Sequence, residues 1–166
     1  MTDTAELLTR GAIIGMGGAA FMDGWALFSR RVLHIQGLDY ALLGRWIGHM
    51  RRGRFFHERI ALADPVRDER LLGWVAHYSI GMAFSLMLLA LCGLDWAHSP
   101  TLLPPLTMGL CTIVAPWFVM HPAMGAGIAA SATPNPRAAR LRNLATHAAY
   151  GVGLYASALV LSIVWT

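Results

Sequence analysis

The sequence predicts an all-α protein, a bundle of four transmembrane helices with an amphipathic helix in the loop after the first. Two observations carry this. Hydrophobic residues make up 56% of the 166-residue chain and charged residues only 13%, against roughly 25% charged in an average soluble domain. The charges are also bunched, so that residues 71–94, 96–136 and 143–166 carry none at all and residues 11–29 carry only Asp23. A helix needs about 20 mostly apolar residues to cross a hydrocarbon core roughly 30 Å thick. Spans are therefore expected at about 9–29, 71–94, 105–124 and 144–165, in a single integral membrane domain covering 1–166. A chain of this length has too little other protein to bury four such helices in water.

The first span is read as a mature helix rather than a signal peptide. Its leader carries Asp3 and Glu6 against one Arg, the wrong charge balance, and no clear small-residue cleavage site follows. The loop 30–70 is the one sizeable polar piece. Leu38, Leu42, Leu43, Trp46, Ile47 and Met50 recur there at helical spacing, which predicts an amphipathic helix on the membrane surface. Asp64-Pro65 breaks the chain before the second span. Pro116 and Pro122 should kink or end the third span, and Pro134-Asn-Pro136 makes a stiff turn before the fourth.

Orientation follows from the arginines. The chain has thirteen Arg and no Lys; nine Arg lie in residues 30–70 and Arg137, Arg140 and Arg142 precede the fourth span. The positive-inside bias makes both stretches cytoplasmic and both termini periplasmic in a bacterial inner membrane. The basic pI near 9.7 then reads as an Arg-rich loop on anionic lipid headgroups, not as a nucleic-acid surface. Cys92 and Cys111 are too few for a disulfide framework; buried packing is the expected role, although a bond between them would be chemically feasible.

Small residues mark the packing faces. Gly11, Gly15, Ala19 and Asp23 form one row, His77, Gly81 and Ser85 another, and His147 and Gly151 a third, with Tyr150 alongside. The glycine-rich run from Gly11 to Gly18 follows no strand, so it is a packing stripe and not a dinucleotide fingerprint. Asp23, His77, His121 and His147 are expected roughly 6–9 Å beneath the cytoplasmic helix ends, at one level. An ionisable residue in a span is costly and marks a functional site by default. The alternative gives each His a backbone carbonyl partner and Asp23 an interfacial Arg. Imidazole and carboxylate are the ligands that Zn or Fe takes, which makes Asp23, His77, His147 and His121 the metal set and His57-Glu58 a lid acid/base pair. A haem would need two facing His, such as His77 and His147. No HExxH or CxxC spacing accompanies them.

Met22-Asp23, Asp39-Tyr-Ala-Leu-Leu-Gly-Arg-Trp46, Gly53-Arg-Phe-Phe-His57, Gly73-Trp-Val-Ala-His77-Tyr78, Pro122-Ala-Met-Gly-Ala-Gly127, Thr133-Pro-Asn-Pro136 and Thr146-His147 together resemble a bacterial family of short inner-membrane proteins, a domain of unknown function. The resemblance covers nearly the whole chain. It implies a small integral membrane protein and no activity, and it singles out Asp23, His57, His77 and His147. That family usually has Gln where this chain has His121. Three functions stay open: a metal-dependent redox or hydrolytic protein acting on a membrane-soluble substrate, a proton- or solute-coupled transporter, and a non-catalytic accessory subunit. The last would dock a larger membrane complex, or a second copy of the chain, through its glycine stripes.

Overall fold

The computed structural model describes residues 2–37 and 39–165. Among these residues the chain is helical, with no strand. Four helical stretches are long and apolar enough to cross a membrane: Asp3–Val32, Glu69–Cys92, Leu103–Ala123 and Pro136–Val164. At most 39% of the most apolar window in each is buried inside the protein. A water-soluble protein does not leave that much contiguous apolar surface outside, whereas lipid covers it at no cost.

The first helix, α1 (Asp3–Val32), starts where the Thr2 hydroxyl accepts from the Ala5 amide, and it has Asp3 and Glu6 in its first turn and Arg30 and Arg31 in its last. Those charges complement the helix dipole at both ends. The second helix, α2 (Tyr40–Met50), is the expected amphipathic one, capped by Asp39 Oδ1 accepting from Ala41 N at 2.9 Å. Leu43 and Trp46 lie on its buried side; Leu38, counted in the same pattern, lies outside the described residues. The remaining helices are α3 (Glu69–Cys92), the short α4 (Leu94–His98), α5 (Leu103–Cys111), the three-residue α6 (His121–Ala123) and α7 (Pro136–Val164).

The third span is not one regular helix. After α5 the chain turns and widens into a π-helical stretch, Pro116–Met120, before α6. Pro116 and Pro122 each lack the amide a regular helix would use, so the irregularity has a local cause. The helices also overrun the apolar spans at their Arg-rich ends, because helical hydrogen bonding continues past the last apolar residue into polar surroundings.

The described chain forms two compact units. One comprises the residues up to Gln36, Tyr78–Thr112 and the residues from Ala145; the other comprises Gly37–His77 and Ile113–Leu144. In the first unit α1, α3, α4, α5 and α7 pack around Ile14, Leu88, Leu89, Met108, Tyr150 and Leu154. Their backbones approach at glycines. A Cβ on Gly15 would lie 2.6 Å from Met82 Cα, one on Gly109 2.8 Å from Gly151 N, and one on Gly153 3.0 Å from Gly18 Cα. Gly15, Gly18, Gly81 and Gly151 thus serve as expected, and Gly109 and Gly153 join them. Arg10, only 1% exposed, ends this core: it donates to Glu6 and to the Trp165 carbonyl, both at 2.7 Å, and its guanidinium stacks over the Trp165 ring. Cys92 and Cys111 are both free thiols, and Cys111 is exposed rather than buried because it sits on an outward face of α5.

In the second unit α2 crosses the start of α3 at two glycines. A Cβ on Gly44 would collide with the Glu69 carbonyl, and one on Gly73 with the Tyr40 carbonyl. Beside the crossing, Arg45 grips Glu69 through a two-pronged ion pair, at 2.8 and 2.7 Å, and its remaining arm donates to the Ala61 and Ala63 carbonyls at 3.1 Å. Arg45 was expected on lipid phosphate with the rest of the loop. It is instead the fastener of this unit, since its planar fork matches a carboxylate geometrically.

Candidate functional site

Asp23, His77 and His147 are each engaged by a hydroxyl or a ring. In the first unit, Tyr78 donates from its phenol to Asp23 Oδ2 at 3.0 Å. The two residues sit on α1 and α3, the helices that Gly15 and Gly81 bring together. Next to it Tyr150, 4% exposed, donates to the Gly81 carbonyl at 2.6 Å. That bond reaches a carbonyl of the same α3 backbone on which Tyr78 is mounted, so α1, α3 and α7 are tied by hydroxyls as well as by glycine contacts.

His147 lies on α7 where the α5–α7 glycine contact forms. Its Nδ1 is 2.7 Å from Thr112 Oγ1, which is 2.6 Å from the Gly109 carbonyl. A hydroxyl has one proton and a carbonyl can only accept. Thr112 therefore donates to Gly109, and a neutral His147 donates from Nδ1, leaving the ring's lone pair on Nε2. Fixing the tautomer in this way is what outer partners of ligating or proton-carrying histidines do.

In the second unit His77 stacks on Tyr40, with ring centroids 4.3 Å apart and planes 27° apart, and its Nε2 shares a 3.2 Å hydrogen bond with the Tyr40 hydroxyl. Trp74 closes the aromatic group, edge-on to Tyr40 at 4.6 Å. His121 opens α6, with its Nδ1 buried and without a hydrogen-bond partner among the described residues.

His57 and Glu58 differ sharply in setting: His57 is 7% exposed whereas Glu58 is exposed. The His57 amide donates to the Ala123 carbonyl at 2.8 Å and the Ile60 amide to that of Met124 at 3.1 Å, which pins the loop along the turn after α6. Gly125, at φ +87°, makes room there, since a Cβ would collide with the Glu58 carbonyl. The His57 ring meets the edge of His49, centroids 4.9 Å apart, and neither of its nitrogens has a hydrogen-bond partner among the described residues. Burial, and then the nearby His49 and Arg54, push the His57 imidazole below its ordinary value. His49 itself donates from Nε2 to the Asp64 carbonyl at 2.9 Å.

Among the described residues no group of three or more His, Cys, Asp or Glu side chains is placed to hold a metal ion. Along their own helices Asp23, His77 and His147 lie roughly 12–17 Å from the Arg-rich ends, deeper than the apolar spans imply, because those helices start earlier or end later. His121 departs from them, at the very end of its span. Tyr40, Tyr78, Thr112 and Tyr150 are the residues the sequence reading left without a role. Tyr40 and Tyr78 had a signal as neighbours of Asp39 and His77 in the motif run, and Tyr150 as a neighbour of the His147–Gly151 row; Thr112 had none.

Fold and site together define a polytopic all-α membrane protein whose spans carry hydroxyl-bonded Asp and His. The chain belongs to a family described as protein of unknown function (DUF2938), whose model matches residues 12–161. No curated protein and no solved structure matches it.

Proposed function

We propose that this is an integral protein of a bacterial inner membrane, with both termini periplasmic and the Arg-rich loop cytoplasmic, and that it works as a small proton- or solute-coupled transporter. Asp23 is its proton-accepting group, and Tyr78 its donor partner. The observation that carries the reading is the hydrogen bond from the Tyr78 phenol to Asp23 inside an apolar span. A carboxylate bonded there to a phenol changes its charge, and loosens or tightens α1 against α3, when it takes up a proton. Coupling needs such a change at a helix contact. His147, held in one tautomer by Thr112, is the second carrier.

The test is proton entry into liposomes holding the purified protein, driven by a potassium diffusion potential and read by a trapped pH dye. Parent vesicles should acidify faster than empty ones, and Asp23→Asn should return the rate to that of empty vesicles. Equal rates in parent and empty vesicles would refute the reading.

The His147 tautomer also favours a second reading, in which Nε2 is a ligand of Zn or Fe. Elemental analysis and an absorption spectrum of untagged protein in mild detergent decide it. About one metal per chain, lost in His147→Ala, supports this reading; metal-free active protein rejects it, and a haem spectrum would redirect it. The accessory-subunit reading, in which glycine stripes dock a larger membrane complex, is tested by pull-down from native membrane.

A further inference from the structure

The arginines of the second unit fall into two kinds. Arg45 spends its guanidinium on Glu69 and on loop carbonyls, and Arg140 donates to the Ala129 carbonyl at 2.9 Å. The side chains of Arg51 and Arg52, by contrast, have no hydrogen bond or ion pair to any described residue, and both residues are exposed at the end of α2. They line a cleft of ≈ 490 Å³ together with Arg67 and Asp68 from the turn before α3. Its apolar wall is Val66 and Leu72. The wall is close because Gly48 has no side chain: a Cβ there would lie 2.6 Å from Val66 Cγ1.

Three guanidiniums face one carboxylate in this cleft. The Arg67–Asp68 pair is 3.4 Å long and its side chains are 96% and 66% exposed, and an exposed pair of that kind holds its partners only weakly. The cleft is therefore a cationic pocket with an apolar side, and guanidinium forks match phosphate oxygens. Its position adds the source of the phosphate. Residues 66–72 are where the chain enters the span Glu69–Cys92, so the cleft opens where a bilayer keeps its headgroups.

We infer that the cleft formed by Arg51, Arg52 and Arg67 is a binding site for a phosphoryl group at the membrane interface, with Leu72 and Val66 facing the apolar part of the molecule that carries it. The inference stands whether or not Asp23 and His147 move protons.

The test uses the full chain in phosphatidylcholine nanodiscs, with its melting temperature followed as phosphatidylglycerol replaces part of the lipid or as inorganic phosphate is added. Phosphatidylglycerol should raise the melting temperature saturably. The apparent affinity should fall at least tenfold in R51Q/R52Q/R67Q, and less in R51K/R52K/R67K, which keeps the charge without the fork. The comparison variant R30Q/R31Q/R54Q removes the same charge from exposed positions outside the cleft and should keep the parent's affinity. Stabilisation by the lipid alone assigns the phosphate to a headgroup, and stabilisation by both ligands supports a phosphate site indifferent to its carrier. The inference is overturned if neither ligand stabilises the parent. It is also overturned if the two Gln triples lose affinity equally, because diffuse attraction of an anionic surface to a basic loop would then be the whole effect.

Discussion

Replacing Gly15 with Ala tests the packing on which the membrane core rests. The added Cβ would sit 2.6 Å from Met82 Cα and 2.8 Å from the Gly81 carbonyl oxygen, where ordinary contact begins near 3.4 Å. Both obstacles are backbone, so no side chain can swing away, and α1 and α3 must part by somewhat under an ångström. Overpacking of this kind costs about 1–3 kcal/mol, while Ala is favoured over Gly in a helix by about 1 kcal/mol. Gly24 on the same helix supplies the control, since a Cβ there meets nothing within 4 Å. The propensity gain is common to both variants. Gly15→Ala should therefore be less stable than Gly24→Ala by about 1–3 kcal/mol, measured by equilibrium unfolding in mixed micelles. Leu at Gly15 or Gly81 should be worse still. If Gly15→Ala and Gly24→Ala unfold together, α1 and α3 do not meet at Gly15 and the assigned core is wrong.

Three further outcomes are expected. Arg45→Gln should destabilise the protein by about 2–4 kcal/mol, because it leaves the Glu69 carboxylate, in a pair only 13% and 18% exposed, without its partner; Arg45→Lys should not restore it, and a wild-type melting curve for either would count against the fastening role. The folded state holds the His57 imidazole below its ordinary value, so on acidification the unfolded chain takes up its proton first, near pH 6.5. Stability should then fall from about pH 7 downward and level off once folded His57 also protonates; melting curves of His57→Gln should show a shallower pH slope, and equal slopes would exclude this cause. Reporters fused at residues 60 and 138 should read as cytoplasmic and one at the C-terminus as periplasmic; a cytoplasmic C-terminus would overturn the orientation read from the Arg bias.

The spans were legible because charge-free runs and hydrocarbon thickness both act on single residues, and neither requires knowledge of neighbours. Helix ends were less so: α7 begins at Pro136, well before the apolar residues, and α1 runs on through Arg30 and Arg31, since hydropathy reports the surroundings of a helix and not its hydrogen bonds. The small-residue rows pointed to Gly15, Gly18, Gly81 and Gly151, but Gly109, which meets Gly151, and Gly153, which meets Gly18, depend on how neighbouring helices pack, which no single segment encodes. The same holds for Arg45 and Glu69, 24 positions apart. Asp23, His77 and His147 stood out as ionisable groups in apolar runs. Their partners did not, because Tyr78, Tyr40 and Thr112 are neutral hydroxyls that a membrane helix accommodates without any signal in composition. A metal set drawn from ionisable residues alone therefore missed the hydroxyl bonds that the structure places on them.

The proton-accepting role of Asp23 is tested most directly by infrared difference spectra of the protein in lipid, recorded between two pH values. A carboxylic-acid band should appear on acidification, vanish in Asp23→Asn, and shift in frequency and midpoint in Tyr78→Phe, which removes the phenol bonded to it. If the parent and Asp23→Asn give identical difference spectra across the pH range in which the protein stays folded, Asp23 takes up no proton there. The hydrogen bond to Tyr78 would then be a fastener between α1 and α3 and nothing more.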